Sequence, residues 1–218
     1  MKTLLLLTAL VFATTVSAQA QLRITEVAPW ASGNSPYATD WFELTNTGTI
    51  AIDITGWRMD DSSGAFSSSV LLTGITVIAP GESVIFTENP ATASFLMTWF
   101  GGSPPAGLQI GNYSGTGVGL STSGDAVNIF NAGGALQASI SFGAADGVAP
   151  FQTFDNSAGL NGTSISMLSA VGSNGAFVAA NDPNEIGSPG VVPEPQTYAL
   201  LVGGGLALLG VAARKRRG

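Results

Sequence analysis

The chain has 218 residues, contains neither Cys nor His, and is only 10% charged. That composition excludes a disulfide framework, a Cys or His zinc site, a Ser-His-Asp triad and a Cys nucleophile. Of the seven basic residues only Arg23 and Arg58 lie within residues 21–192, against thirteen acids, so that span carries a formal charge of −11. It repels phosphate backbones, and no nucleic-acid partner is expected.

The first twenty residues, MKTLLLLTALVFATTVSAQA, place Lys2 ahead of an apolar stretch from Leu4 to Val16. Small residues follow at Val16-Ser17-Ala18 and Ala18-Gln19-Ala20, the layout of a secretory signal peptide cut by signal peptidase after Ala18 or Ala20. An exported chain without Cys must draw its stability from packing alone.

Residues 21–192 have the length of one domain with one core. With 29 Gly and 11 Pro in the chain, a turn-rich all-β body is expected. Apolar residues recur with period two at Leu22 to Val27, at Trp41 to Asn46 (Phe42 and Leu44 on one face) and at Ile50, Ile52 and Ile54, and Trp57-Arg58-Met59 follows as a further strand. Ile75 to Ile78 and Ser83 to Thr87 are joined by Ala79-Pro80-Gly81-Glu82, which suits a type II turn. Asn89-Pro90 reads as the start of one short helix, with Phe95, Leu96 and Trp99 on its apolar face and Gly101-Gly102 at its stop. Ala126 to Phe130 and Leu136 to Phe142 form a hairpin around Asn131-Ala132-Gly133-Gly134, and Thr163 to Leu168 is a late strand. Eight to ten short strands with turns between them fit a β-sandwich.

After the body comes Pro193-Glu194-Pro195, then an apolar run from Tyr198 to Ala213, then Arg214-Lys215-Arg216-Arg217. The two prolines hold an extended tripeptide. The run is shorter than the roughly 20 residues that cross a bilayer comfortably. Its basic end sets the C-terminus in the cytoplasm and the body outside. Val192-Pro193-Glu194-Pro195, Leu200-Leu201, Gly203-Gly204-Gly205-Leu206, Leu208-Leu209-Gly210 and the Arg-rich end together closely resemble the PEP-CTERM sorting signal of Gram-negative bacteria that make extracellular polysaccharide. The resemblance implies transient anchoring in the inner membrane and handling by an exosortase, which cuts near Pro193-Glu194-Pro195. The three expected parts are therefore a signal peptide at 1–20, the body at 21–192 and a sorting signal at 193–218.

The body in turn resembles the lamin-tail domain, an immunoglobulin-like sandwich. The resemblance is carried by Ile24-Thr25-Glu26-Val27, Asp40-Trp41-Phe42-Glu43-Leu44-Thr45-Asn46, Ile52-Asp53-Ile54-Thr55-Gly56-Trp57-Arg58-Met59-Asp60-Asp61 and Ile78-Ala79-Pro80-Gly81-Glu82-Ser83-Val84-Ile85-Phe86. Gly124-Asp125-Ala126-Val127-Asn128-Ile129-Phe130, Ser164-Ile165-Ser166-Met167 and Ser188-Pro189-Gly190 continue it. Met167 departs from the family, which often has Arg there. What the resemblance implies is an antiparallel immunoglobulin-like β-sandwich with a recognition or structural role, not one ligand.

Chemistry-bearing residues are few. Gly115-Thr116-Gly117-Val118-Gly119 lacks the helix and Lys-Ser/Thr pair of a phosphate loop. Asp60-Asp61-Ser62-Ser63-Gly64 and Asn181-Asp182-Pro183-Asn184-Glu185 are oxygen-rich turns in which Ca²⁺ is weighed against local hydrogen bonding. Glu26, Asp40, Glu43 and Asp53 are the acids a glycosidase would draw on, yet Glu43 and Asp53 alternate with apolar neighbours as on a solvated sheet face. Trp57 is expected in the core, and Trp30, Trp41 and Trp99 are either core or sugar-stacking residues. We expect no catalytic residue, cofactor or metal, and a non-enzymatic surface or matrix protein associated with exopolysaccharide. The alternatives are a carboxylate-dependent polysaccharide hydrolase and a surface ligand-binding module. Ser and Thr form about a fifth of the chain, a composition compatible with O-glycosylation.

Overall fold

The computed structural model describes residues 21–145 and 147–191. Fifteen strands and two helices occur among them. In chain order they are β1 (Leu22–Ala28), α1 (Ala31–Asn34), β2 (Trp41–Asn46), β3 (Ile52–Asp53), β4 (Arg58–Asp60), β5 (Val70–Thr73), β6 (Val77–Ile78), β7 (Ser83–Thr87) and α2 (Thr92–Phe100). Then come β8 (Gln109–Tyr113), β9 (Asp125–Phe130), β10 (Leu136–Phe142), β11 (Phe151–Gln152), β12 (Phe154–Asp155), β13 (Ser164–Ile165), β14 (Phe177–Ala179) and β15 (Asp182–Gly187).

Ten strands follow the order β12-β1-β2-β7-β8-β5-β4-β9-β10-β13. The run folds into two layers at β5, whose Leu72 and Thr73 pair with β8 while Val70 and Leu71 pair with β4. Between the layers lies the main core, in which Ile24, Phe42, Leu44, Val84, Phe86 and Tyr113 of one layer meet Met59, Val127, Ile129 and Ile140 of the other. The fold is the expected β-sandwich, and most pairings are antiparallel. The parallel pair β7–β8 needs a long crossover, and α2 supplies it. The late strands belong to the same body: β12 extends the first layer beside β1, and β13 extends the second beside β10.

Pro80-Gly81 makes the expected turn, with Gly81 at φ +73° and the Glu82 N–H on the Ala79 carbonyl at 3.1 Å. Its two strands pair elsewhere, β6 with β3 and β7 with β2, so the turn passes the chain from one ribbon to another. Helix α2 starts two residues later than the sequence suggests. Its N-cap is Ala91, because Pro90 precedes the first helical turn. Gly101 ends it in the left-handed conformation, its N–H on the Met97 carbonyl. The Ile50-Ile52-Ile54 strand shrinks to the two-residue β3, and Ile50 stands exposed.

A third layer has no counterpart in the sequence reading. β11, β15 and β14 form a small sheet in that order and, with α2, cover the outer face of β1, β2 and β7. Trp30, Tyr37, Trp41, Ile85, Phe95 and Trp99 pack there as a second core. The Ala180 and Asn181 N–H groups bond the last carbonyls of α2 at Trp99 and Thr98, joining helix and sheet. Strands β2 and β7 are consequently buried along their whole length, as central strands covered on both faces must be.

Candidate functional site

Three of the four acids singled out from the sequence are buried: Glu26, Asp40 and Glu43. Only Asp53 is exposed, and hydrogen bonds from Thr55 hold it below the ordinary carboxylate range. The expectation of a solvated face is therefore corrected for Glu43. Alternation along β2 does send Trp41, Glu43 and Thr45 to the outer face, but that face lies under the third layer. The signal was available, since Trp41 shares the face with Glu43 and a Trp there calls for a cover.

Glu26 comes to Glu43 through a β-bulge. Ile24 pairs with Leu44, Thr25 is the extra residue, and Glu26 then sits opposite Glu43. Without the bulge, simple alternation would keep Glu26 on the inner face with Ile24. Glu26 Oε1 accepts from the Thr153 hydroxyl at 2.5 Å and from the Ser188 N–H at 2.7 Å. Glu43 Oε1 accepts from the Thr25 hydroxyl and Oε2 from the Gly190 N–H, both at 2.6 Å. Two carboxylates on adjacent strands thus grip the backbone of one strap, residues 188–191. The strap continues β15, the most C-terminal strand, and leads directly to Pro193-Glu194-Pro195.

The pair titrates as a unit. Burial raises Glu26 to about 7, against the opposing hydrogen bonds from Thr153 and Ser188. Burial, and then the charge of Glu26, push Glu43 well above the usual range. Like charges this close cannot both ionise cheaply. A row of hydroxyls carries the consequence along the sheet: Thr25 meets Thr45 at 2.8 Å, Thr45 meets Ser83 at 2.6 Å, and Ser83 lies 3.4 Å from the Val191 carbonyl. Each hydroxyl has one proton to give. When Glu43 is ionised, Thr25 donates to it, Thr45 to Thr25 and Ser83 to Thr45. When Glu43 carries a proton on Oε1 the row reverses, and Ser83 donates to the Val191 carbonyl.

A second acid site lies under α2, and the sequence reading missed it. The Tyr37 hydroxyl donates to Glu185 Oε2 at 3.1 Å and accepts both indole N–H groups, from Trp41 at 2.9 Å and Trp99 at 3.2 Å. Glu185 Oε1 is buried without a partner, and burial raises Glu185 to about 7. Burial likewise raises Asp40 to about 7, against the Ser32 N–H at 2.7 Å. Trp30, Trp41 and Trp99 are core residues, and Trp57 lies at the edge of the main core, 9% exposed.

The oxygen-rich turns bond largely within themselves, although Asp60 Oδ1 is buried without a partner. Asp60 Oδ2 takes the Ser63 hydroxyl and the Ala65 N–H, Asp61 takes the Ser63 N–H, and Asp182 takes the Asn184 N–H. Glu185 points away from its turn into the Tyr37 cluster. Among the described residues no group of three or more Asp or Glu could hold a metal ion. Gly115 to Gly119 form a loop between β8 and β9 with no helix after it. Ala18, Ala20, Pro193, Glu194, Pro195, Arg214, Lys215, Arg216 and Arg217, with the apolar run, lie outside the described residues.

Two family models match the chain. The Lamin Tail Domain model covers residues 15–144, and the PEP-CTERM protein-sorting motif covers residues 191–217. The first match stops before β11, and β12 and β13, which extend the two layers beside β1 and β10, lie beyond it. No curated protein matches the chain.

Proposed function

Because the chain belongs to the Lamin Tail Domain family and carries a PEP-CTERM sorting motif, we propose that it is a non-enzymatic matrix or adhesion protein that associates with extracellular polysaccharide. The motif marks it as an exported surface protein, transiently anchored in the membrane and processed by an exosortase. In this reading residues 1–20 are removed at export and residues beyond about Pro195 at processing. The body, residues 21–192, is what reaches the surface.

One observation carries the polysaccharide reading. A cleft of about 320 Å³ is lined by Gln21, Gln137 and Asn161 together with Leu22, Ile52 and Trp57. Amides beside an indole edge, with no charged side chain, suit the hydroxyls and C–H faces of a neutral glycan. Against the hydrolase alternative, Glu26 and Glu43 are spent on the strap and do not line this cleft. Family membership alone leaves the ligand open.

Co-sedimentation of the purified body with the producing organism's own exopolysaccharide tests the reading. Saturable binding without new reducing ends, weakened about tenfold by Gln137→Ala, is expected; tenfold corresponds to roughly 1.4 kcal/mol, one good polar contact. A body that stays in the supernatant contradicts matrix association, and release of reducing ends favours the hydrolase.

A further inference from the structure

The strap fixes where the chain leaves the sandwich. Its exit lies beside a cleft of about 330 Å³ formed by the 79–83 turn, the Pro105–Leu108 loop and Gly190. The Asn46–Ile50 turn adjoins this cleft through the Gly81 N–H on the Asn46 carbonyl and the Asn46 N–H on the Glu82 carbonyl. Residues 46–50, 79–83, 104–108 and 188–191 contain a single charge, Glu82. Both of its oxygens are occupied, by the Ala79 N–H at 2.6 Å and the Gln109 amide at 2.7 Å. The opposite end is acidic. Asp125 pairs there with Phe142, Asp61 stands beside it through the Ser62 N–H, and Glu88 follows β7. Arg23, on the Thr47 hydroxyl, and Asp53, paired across from Val77, are the other charges beside the segments around the cleft, so the cleft end of a body with a formal charge of −11 carries one positive and two negative side chains, and the strap leads out of it.

We propose that this end, centred on the 79–83 turn and the Pro105–Leu108 loop, is the docking surface for the membrane-embedded protease that cuts the sorting motif. The proposal rests on the reading that the chain is processed there. Chain length makes the contact hard to avoid. Pro193 to Pro195 lie two to four residues beyond Val191, a reach of at most roughly 7–14 Å, and the apolar run at Tyr198 begins at most about 25 Å away. A small domain is about 30 Å across, so a protease closing on the motif meets this end of the sandwich.

The test uses the full chain in the producing organism. Ala79→Arg and Ala106→Arg each place a bulky charge on exposed positions of this end, and Ser123→Arg places the same charge at the acidic end. Conversion of full-length to cut protein is followed by pulse-chase and intact mass, and the melting temperature of each protein is recorded. We expect Ala79→Arg and Ala106→Arg to slow conversion about tenfold, the factor that 1.4 kcal/mol gives, with Ser123→Arg at the wild-type rate and all melting temperatures unchanged. Should an Arg variant melt early, Gln at the same position is expected to slow conversion without unfolding the body. Wild-type rates in the Arg and Gln variants at both near-end positions overturn the proposal. A wild-type chain that keeps Arg214 to Arg217 indefinitely overturns the processing reading itself, and the docking surface with it.

Discussion

Glu26 and Glu43 lie face to face because one residue, Thr25, is inserted in β1, and their burial has a measurable consequence. A Glu in the unfolded chain titrates near 4.5, whereas Glu26 is raised to about 7 and Glu43 well above its ordinary value. Asp40 and Glu185 are raised to about 7 as well. The native state therefore binds protons that the unfolded chain has already released. The stability these groups confer is complete below about pH 4 and is lost as pH rises through 7, at a cost on the order of 3 kcal/mol for Glu26. Melting at pH 5 is expected to exceed melting at pH 8.5 by at least about 10 °C. Glu43→Gln keeps a carbonyl for the Gly190 N–H and presents an amide donor to Thr25, as the protonated acid does, so the variant is expected to lose part of that fall. An identical fall in both proteins would show that the pair does not titrate in this range.

At the scale of elements, β15 comes close against β1. A Cβ on Gly187 would stand 2.6 Å from Glu26 Oε1, 2.9 Å from the Trp99 ring and 3.0 Å from Thr153. Gly187→Ala is expected to destabilise the body by about 1–3 kcal/mol, by forcing the end of β15 and its strap off the sheet. Gly33 in α1 offers the comparison, since a Cβ there meets nothing within 4 Å. Gly33→Ala is expected to be neutral or slightly stabilising. Thermal melts of the two variants decide the matter, and equal melting points would remove the strap from the account. The elements that sequence periodicity located are those whose two faces differ, such as β2 with Phe42 and Leu44 inward, or the β9–β10 hairpin with its Asn-Ala-Gly-Gly loop. Trp41 called for a cover, but the strands that supply it were not legible. β11 and β14 are two and three residues long, too short for a period to register, and β15, with Glu185, lies in what reads as a polar turn. The bulge at Thr25 has no sequence signature, so Glu26 could be named as an acid of interest but not placed opposite Glu43.

For the whole molecule, we propose a division between body and signals that coincides with the end of the described packing. The described body is closed by its own last residues, Ser188 to Val191, and the motif that directs export begins as soon as that closure is complete. The C-terminal motif was readable because its recognition depends on linear order, on Pro-Glu-Pro before an apolar run and a basic end. The acid network was not, because it depends on which strands the fold brings together. A protein so arranged is expected to reach the surface intact as a sandwich and without its basic end. Intact-mass measurement of the protein recovered from the producing organism's surface examines this directly. The account predicts a species that starts near Gln19 or Gln21, ends near Pro195 and retains the strap. A surface species still carrying Arg214 to Arg217, or one cut before Ser188, would contradict it.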